Sequence, residues 1–141
     1  MPGATRSIVI AAPLERVFDV ITSYERYPEF FPEVKKLTLS GRQGAQVNVH
    51  YEVDLMAKVK YTLRMNEERP HRVRWSFVEG QFLKDNKGSW ELKDLGGGKT
   101  EATYAIEVAL GPLVPKAVVN ALVDSALPKM LESVKRHAET A

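Results

Sequence analysis

From Val34 to Leu110 apolar and polar residues alternate in successive short runs. Val47, Val49, Tyr51, Val53 and Leu55 alternate with Asn48, His50, Glu52 and Asp54. Val59, Tyr61, Leu63 and Met65 alternate with Lys58, Lys60, Thr62 and Arg64, and Val73, Trp75 and Phe77 with Arg72, Arg74 and Ser76. Trp90 and Leu92 follow, flanked by Glu91 and Lys93, and then Ala102, Tyr104, Ile106, Val108 and Leu110, interleaved with Thr103 and Glu107. A period of two sends alternate side chains to opposite faces of a strand. With Val34–Ser40, these runs predict six antiparallel strands with one apolar and one wet face. The turns are expected at Gly41–Gly44, Arg69-Pro70-His71, Asp85-Asn86-Lys87-Gly88 and Gly96-Gly97-Gly98, all of turn-forming composition.

The flanking segments carry other periods. Thr5–Ala11 is short and rich in β-branched residues, which predicts a first strand. Pro13 then opens a helix from Leu14 to about Ser23, with Leu14, Val17, Phe18 and Ile21 on one face and Glu15, Arg16 and Asp19 on another. Residues 23–34 hold Tyr24, Tyr27, Phe30 and Phe31 together with Pro28 and Pro32, so a short helix broken near a proline is expected. This aromatic segment reads first as a lid closing one end of the core and second as a lid over a ligand entrance. Val119, Leu122, Val123, Ala126, Leu127, Met130, Leu131, Val134 and Ala138 recur at helical spacing and predict a long C-terminal amphipathic helix with a broad apolar face. Pro128 removes a donor in its middle and predicts a bend near Asp124. The chain is thus expected to be α+β: one strand, two short helices, about six more strands and a long helix gripped by a curved sheet.

Length favours a single domain over residues 1–141, of which roughly 70% of the extended-chain surface can be buried. Lys plus Arg number 20 and Asp plus Glu 18, a formal charge of +2 that does not argue for a nucleic-acid binder. The absence of cysteine excludes disulfides, thiolate catalysis and thiolate metal sites and makes the cytoplasm the expected compartment. No apolar run approaches the roughly 20 residues of a membrane helix, and the first residues lack the pattern of a signal peptide.

Motifs for chemistry are few. Gly97-Gly98-Lys99-Thr100 ends like a phosphate loop, but Lys93 stands where the first glycine is needed and a strand pattern follows, so a hairpin explains it. His50, His71 and His137 share no metal-pair spacing; His50 is expected on the polar strand face, His71 in a turn and His137 at a frayed helix end. No Gly-x-Ser-x-Gly elbow is present. Glu52 with Asp54, and Glu67 with Glu68, map to the solvent face or turns, whereas acid–base catalysis needs groups in a dry pocket. Lys58, Lys60, Arg64, Arg72 and Arg74 fall on the outer sheet face, where a solvated surface is the first reading and an anionic partner such as RNA the lesser one.

Residues 17–37, VFDVITSYERYPEFFPEVKKL, and the pair Gly80-Gln81-Phe82 and Gly88-Ser89-Trp90-Glu91-Leu92 carry a family resemblance. They resemble the START-like (SRPBCC) superfamily, in particular its coenzyme Q-binding protein and ribosome-association toxin branch, and relatives labelled polyketide cyclase or dehydrase. In Tyr27-Pro28-Glu29-Phe30-Phe31-Pro32 the second proline falls one residue later than in that branch, and Ser23 stands where such relatives often have aspartate. The resemblance implies a helix-grip fold and a function among carriers, enzymes and interaction modules.

The first functional reading is a non-catalytic pocket for a lipid, quinone or polyketide-like molecule, with no cofactor and no metal. Its expected lining on the sheet is Val49, Tyr51, Val53, Tyr61, Leu63, Trp75, Phe77, Trp90, Tyr104 and Ile106. The lid would add Tyr27, Phe30 and Phe31, and the last helix Val119, Asn120, Val123 and Met130. The alternatives are a metal-free cyclase or dehydrase using the hydroxyls of Tyr51, Tyr61 and Tyr104 and the Asn120 amide as donors, or a module binding a ribosome or another protein.

Overall fold

The structure, a computed structural model, describes residues 3–54, 58–81, 83–110, 117 and 127–140. Strand β1 (Gly3–Ile10) leads into helix α1 (Leu14–Ile21), a 3-10 turn (Tyr24–Arg26) and a single-turn helix α2 (Tyr27–Phe30). Six strands follow: β2 (Val34–Gln43), β3 (Gln46–Asp54), β4 (Lys58–Glu68), β5 (Arg72–Gly80), β6 (Leu83–Gly96) and β7 (Lys99–Leu110). Helix α3 spans Leu127–Thr140. The strands form one antiparallel sheet in the order β1-β7-β6-β5-β4-β3-β2. Strands β2 to β7 make a meander, and β1 joins its far edge, in unbroken register from Gly3 opposite Glu107 to Ile10 opposite Thr100.

The alternation read from sequence sets the sheet's two faces. Val47, Val49, Tyr51 and Val53 are buried on β3, while the intervening Asn48, His50 and Glu52 point outward. Against the inner face, α1 buries Val17, Phe18, Val20 and Ile21, and α3 buries Leu127, Leu131, Val134 and Ala138. Each large aliphatic chain so buried contributes on the order of 2 kcal/mol. Polar ties then fix the layers. Thr100 donates its hydroxyl to the Ala12 carbonyl at 2.9 Å, and the Ala11 amide donates to Glu139 Oε2 at 2.8 Å. Arg69, in the β4–β5 turn, reaches Glu15 and Asp19 of α1 at 2.8 Å each and lies over the Phe18 ring.

Several expectations need correction. Asp85-Asn86-Lys87-Gly88 is no turn; all four lie within β6, paired to β7. Gly41, Arg42 and Gln43 belong to β2, where a bulge absorbs them, and the hairpin closes at Gly44-Ala45. Of the two prolines, Pro28 starts the short helix rather than breaking it, because it occupies the first turn of α2, while the helix ends at Phe30, just before Pro32, as expected. Glu67 does not face solvent; it follows Met65 on the inner side of β4 and is largely enclosed. His137 is not frayed: α3 continues to Thr140, and the imidazole packs on Phe30 with 4.3 Å between ring centres. The bend expected near Asp124 lies outside the described residues, as do Val119, Asn120 and Val123.

Candidate functional site

The inner face of the sheet is not uniformly buried. Where α1, α2 and α3 meet it, Val47, Val73, Ala102 and Ile10 have no solvent contact at all. The helices are pinned there. Ser133 of α3 donates its hydroxyl to the Phe30 carbonyl, and Tyr24 donates to Glu67 Oε2 at 2.7 Å, whose other oxygen takes Arg42 at 3.0 Å. Toward the opposite end of the strands the same face stays partly open. Val59, Tyr61, Phe77, Ile106 and Val108 are half-buried although their register turns them inward, opposite Val53, Tyr51 and Gly88 for Val59, Tyr61 and Ile106. Met130 of α3 is half-buried as well. Among the described residues, one end of the inner face is thus closely covered, and the other leaves apolar side chains partly exposed.

Aromatic rings run across this surface. Tyr51 and Tyr61 stack across β3 and β4 at 4.8 Å and 14°. Tyr104 packs edge-on to Trp90 at 4.9 Å and lies 5.3 Å from Trp75. Tyr27 bridges the lid to the sheet through Tyr51 at 6.4 Å, and its hydroxyl donates to the Ile21 carbonyl. Burial is the main cause that pushes the phenols of Tyr27, Tyr51, Tyr61 and Tyr104 above their ordinary range; at Tyr24 burial acts first and the Glu67 carboxylate second. All five tyrosines of the chain are therefore neutral at physiological pH and act as hydroxyl donors, not bases. Among the described residues no hydrogen-bond partner meets the hydroxyls of Tyr51, Tyr61 or Tyr104.

Two glycines make room for these rings. A Cβ on Gly88 would sit 2.3 Å from the Ala105 carbonyl oxygen and 2.6 Å from the Trp75 indole. One on Gly80 would sit 2.5 Å from Tyr61 Cβ. Each glycine stands directly across a ladder from its aromatic, Gly88 from Trp75 and Gly80 from Tyr61. The glycines of the two motifs, Gly80 and Gly88, are thus packing devices that let Tyr61 and Trp75 on the neighbouring strands approach closely. Above Gly88 the Trp75 indole donates to Asn86 Oδ1 at 3.1 Å in a buried bond.

The structure divides the expected lining. Tyr27, Phe30, Phe31, Val49, Tyr51, Val53, Leu63, Trp75, Trp90 and Tyr104 are buried, whereas Tyr61, Phe77, Ile106 and Met130 keep part of their surface open. Val59, Val108 and Asn86 join the inner face without having been placed in the site from sequence. Continuing the alternation of Leu92 and Trp90 backwards through Gly88 reaches Asn86, which is the signal that exposes it. On the outer face His50 bonds Ser40 at 2.6 Å and Thr62 at 2.8 Å, and Lys58, Arg72 and Arg74 pair with Glu52, Glu91 and Glu68. Among the described residues no group of three or more His, Asp or Glu is arranged to hold a metal, and no helix is long and apolar enough to cross a membrane.

A curved seven-stranded antiparallel sheet with two short helices after its first strand and a C-terminal helix across its inner face is the helix-grip architecture of the START-like superfamily. Residues 1–139 match the family described as polyketide cyclase / dehydrase and lipid transport, and the chain belongs to that family. Its fold is similar to a Streptomyces aromatase/cyclase (TM-score 0.88, 16% identity, 98% of this chain and 93% of that one). A START superfamily protein from Mycobacterium smegmatis is similar at TM-score 0.85 and 16% identity, over 98% and 97% of the two chains. A STAR-related lipid transfer protein from Xanthomonas axonopodis is similar at TM-score 0.81 and 15% identity, over 96% and 85%. No curated protein matches the chain in sequence closely enough to count as a relative.

Proposed function

We propose that this protein binds a hydrophobic small molecule, such as a lipid, a quinone or a polyketide-like aromatic, against the open part of the sheet's inner face. The observation that carries the reading is the half-burial of Val59, Tyr61, Phe77, Ile106 and Val108 on a face whose other end is sealed by three helices. Apolar surface on a concave wall gains on the order of 25 cal/mol for each Å² removed from water. Membership of a family described by polyketide cyclisation and lipid transport supports the same reading.

Binding is favoured over acid–base catalysis by the polar groups present. The tyrosines are held protonated by burial, and the inward carboxylate of Glu67 is occupied by Tyr24 and Arg42. These groups orient a ligand without supplying a base at neutral pH.

The test combines organic extraction of the natively purified protein, read by mass spectrometry, with titration by the probe anilinonaphthalene sulfonate. A stoichiometric lipid-like molecule in the extract, or saturable probe fluorescence that Phe77→Arg abolishes, is the expected result. An empty extract together with no saturable probe binding would remove the reading.

A further inference from the structure

We propose that Asn86 determines which hydrophobic molecules the concavity accepts, by selecting those that carry a carbonyl or similar acceptor oxygen. This inference rests on the ligand-binding reading above.

Asn86 is only 7% exposed, yet it stands on the inner face of β6 opposite Val108, in the half-buried part of the wall. Its amide orientation is dictated by Trp75. An indole N–H donates and cannot accept, so the atom that meets it at 3.1 Å must be the amide oxygen. The oxygen is thereby held at the indole, and the amide is oriented with its NH2 group directed away from it. Gly88 lets the Trp75 ring lie close to its backbone, since an added Cβ would sit 2.6 Å from the indole.

Two N–H donors are therefore presented by a side chain that is more than nine-tenths buried, and among the described residues no acceptor meets either of them. A ligand that covers this NH2 group takes it from water, and only a molecule that brings an acceptor restores the hydrogen bond, so such a molecule is favoured over one of the same shape that does not. Val108, opposite Asn86 on β7, and Ile106, opposite Gly88, are apolar, so on this stretch of the β6–β7 ladder the amide is the inward polar side chain. The pocket is accordingly selective for ketones, quinones and esters over hydrocarbons. A carboxamide clamped this way discriminates by geometry, since rotating it to expose its oxygen would strand the indole N–H.

The full chain is titrated with two probes of one ring framework, fluorenone, which carries a carbonyl, and fluorene, which carries a methylene there. Fluorenone is expected to bind roughly three- to tenfold more tightly, the size of one net neutral hydrogen bond. Its bound carbonyl stretch should move to lower frequency. Asn86→Leu should erase both effects, bringing the ratio of the two affinities to about one. Equal affinities with an unmoved carbonyl stretch in the wild type overturn the role of Asn86 and leave the ligand-binding reading standing. Failure of both probes to bind removes that reading and this one together. Should Asn86→Leu not fold, the side-chain amide resonances of Asn86 in the wild type decide: a shift with fluorenone and none with fluorene is expected, and no shift with either overturns the proposal.

Discussion

Replacing Gly88 by alanine tests the packing that holds Trp75 and Asn86. The new methyl carbon would lie 2.3 Å from the Ala105 carbonyl oxygen and 2.6 Å from Trp75 Cζ2. Ordinary contacts begin near 3.4 Å, so backbone and indole must both retreat. Overpacking of this kind costs about 1–3 kcal/mol. A displaced indole also loses its bond to Asn86, about 1 kcal/mol net. Alanine returns roughly 0.5–1 kcal/mol because glycine is the more flexible residue in the unfolded chain. The balance is a destabilisation of about 2 kcal/mol, which for a chain of this length lowers the melting temperature by roughly 8 °C. Gly44→Ala is the control: its φ of 59° strains alanine, but nothing lies within 4 Å of the added carbon. It should cost about 1 kcal/mol and leave Trp75 undisturbed. Calorimetry gives the stabilities, and tryptophan emission reports the indole. If Gly88→Ala melts no lower than Gly44→Ala with unchanged emission, the close approach of indole to backbone is refuted.

Four further outcomes are expected. Because burial raises all five phenols, stability should hold below about pH 10 and fall above it, by about 1.4 kcal/mol per pH unit for each fully buried tyrosine and less for the half-buried Tyr61. Urea midpoints and tyrosinate absorbance should then move together, and phenols ionising near pH 10 in the intact fold would refute the burial argument. Tyr24→Phe removes the tie between the lid and Glu67 and should lower the urea-derived stability by about 1 kcal/mol; an unchanged midpoint would show that the bond contributes nothing. Ser133→Ala leaves the Phe30 carbonyl without its hydroxyl donor and should cost about 1–2 kcal/mol, with faster amide exchange in α2 as the local sign. The Glu139 carboxyl is held low by Lys135 and by the Ala11 amide, so its tie to Ala11 is present above the ordinary carboxylate range and is lost as pH falls through the lowered value; the Ala11 amide should exchange faster on acidification.

The fold was legible where one physical requirement dominates. Val47 through Val53 alternate because one face of β3 is buried and the other is wet, and that rule acts on every strand of the meander. It was obscured where a local composition serves a tertiary purpose. Asp85 to Gly88 has the residues of a turn, yet Gly88 is glycine to admit an indole and Asn86 is polar to hold it. Glu67 reads as a solvated carboxylate until the lid brings Tyr24 to it from 43 positions away. The site divided for the same reason: core and pocket call for the same aromatic and aliphatic residues, and only the placement of the helices decides that Phe30 is sealed while Phe77 is not.

The position of β1 has a consequence for synthesis on the ribosome. Its neighbour is β7, and the Ser7–Thr103 hydrogen bond joins positions 96 residues apart. At about 5–20 residues per second, β1 emerges roughly 5–20 seconds before its pairing partner. Throughout that interval the meander can zip in order, each strand onto the last, while Ile8 and Ile10 wait without a sheet to cover them. β1, made before the other six strands, is thus among the last to dock, and a nascent chain stalled before β7 presents a bare sheet edge and an uncovered apolar strand at once.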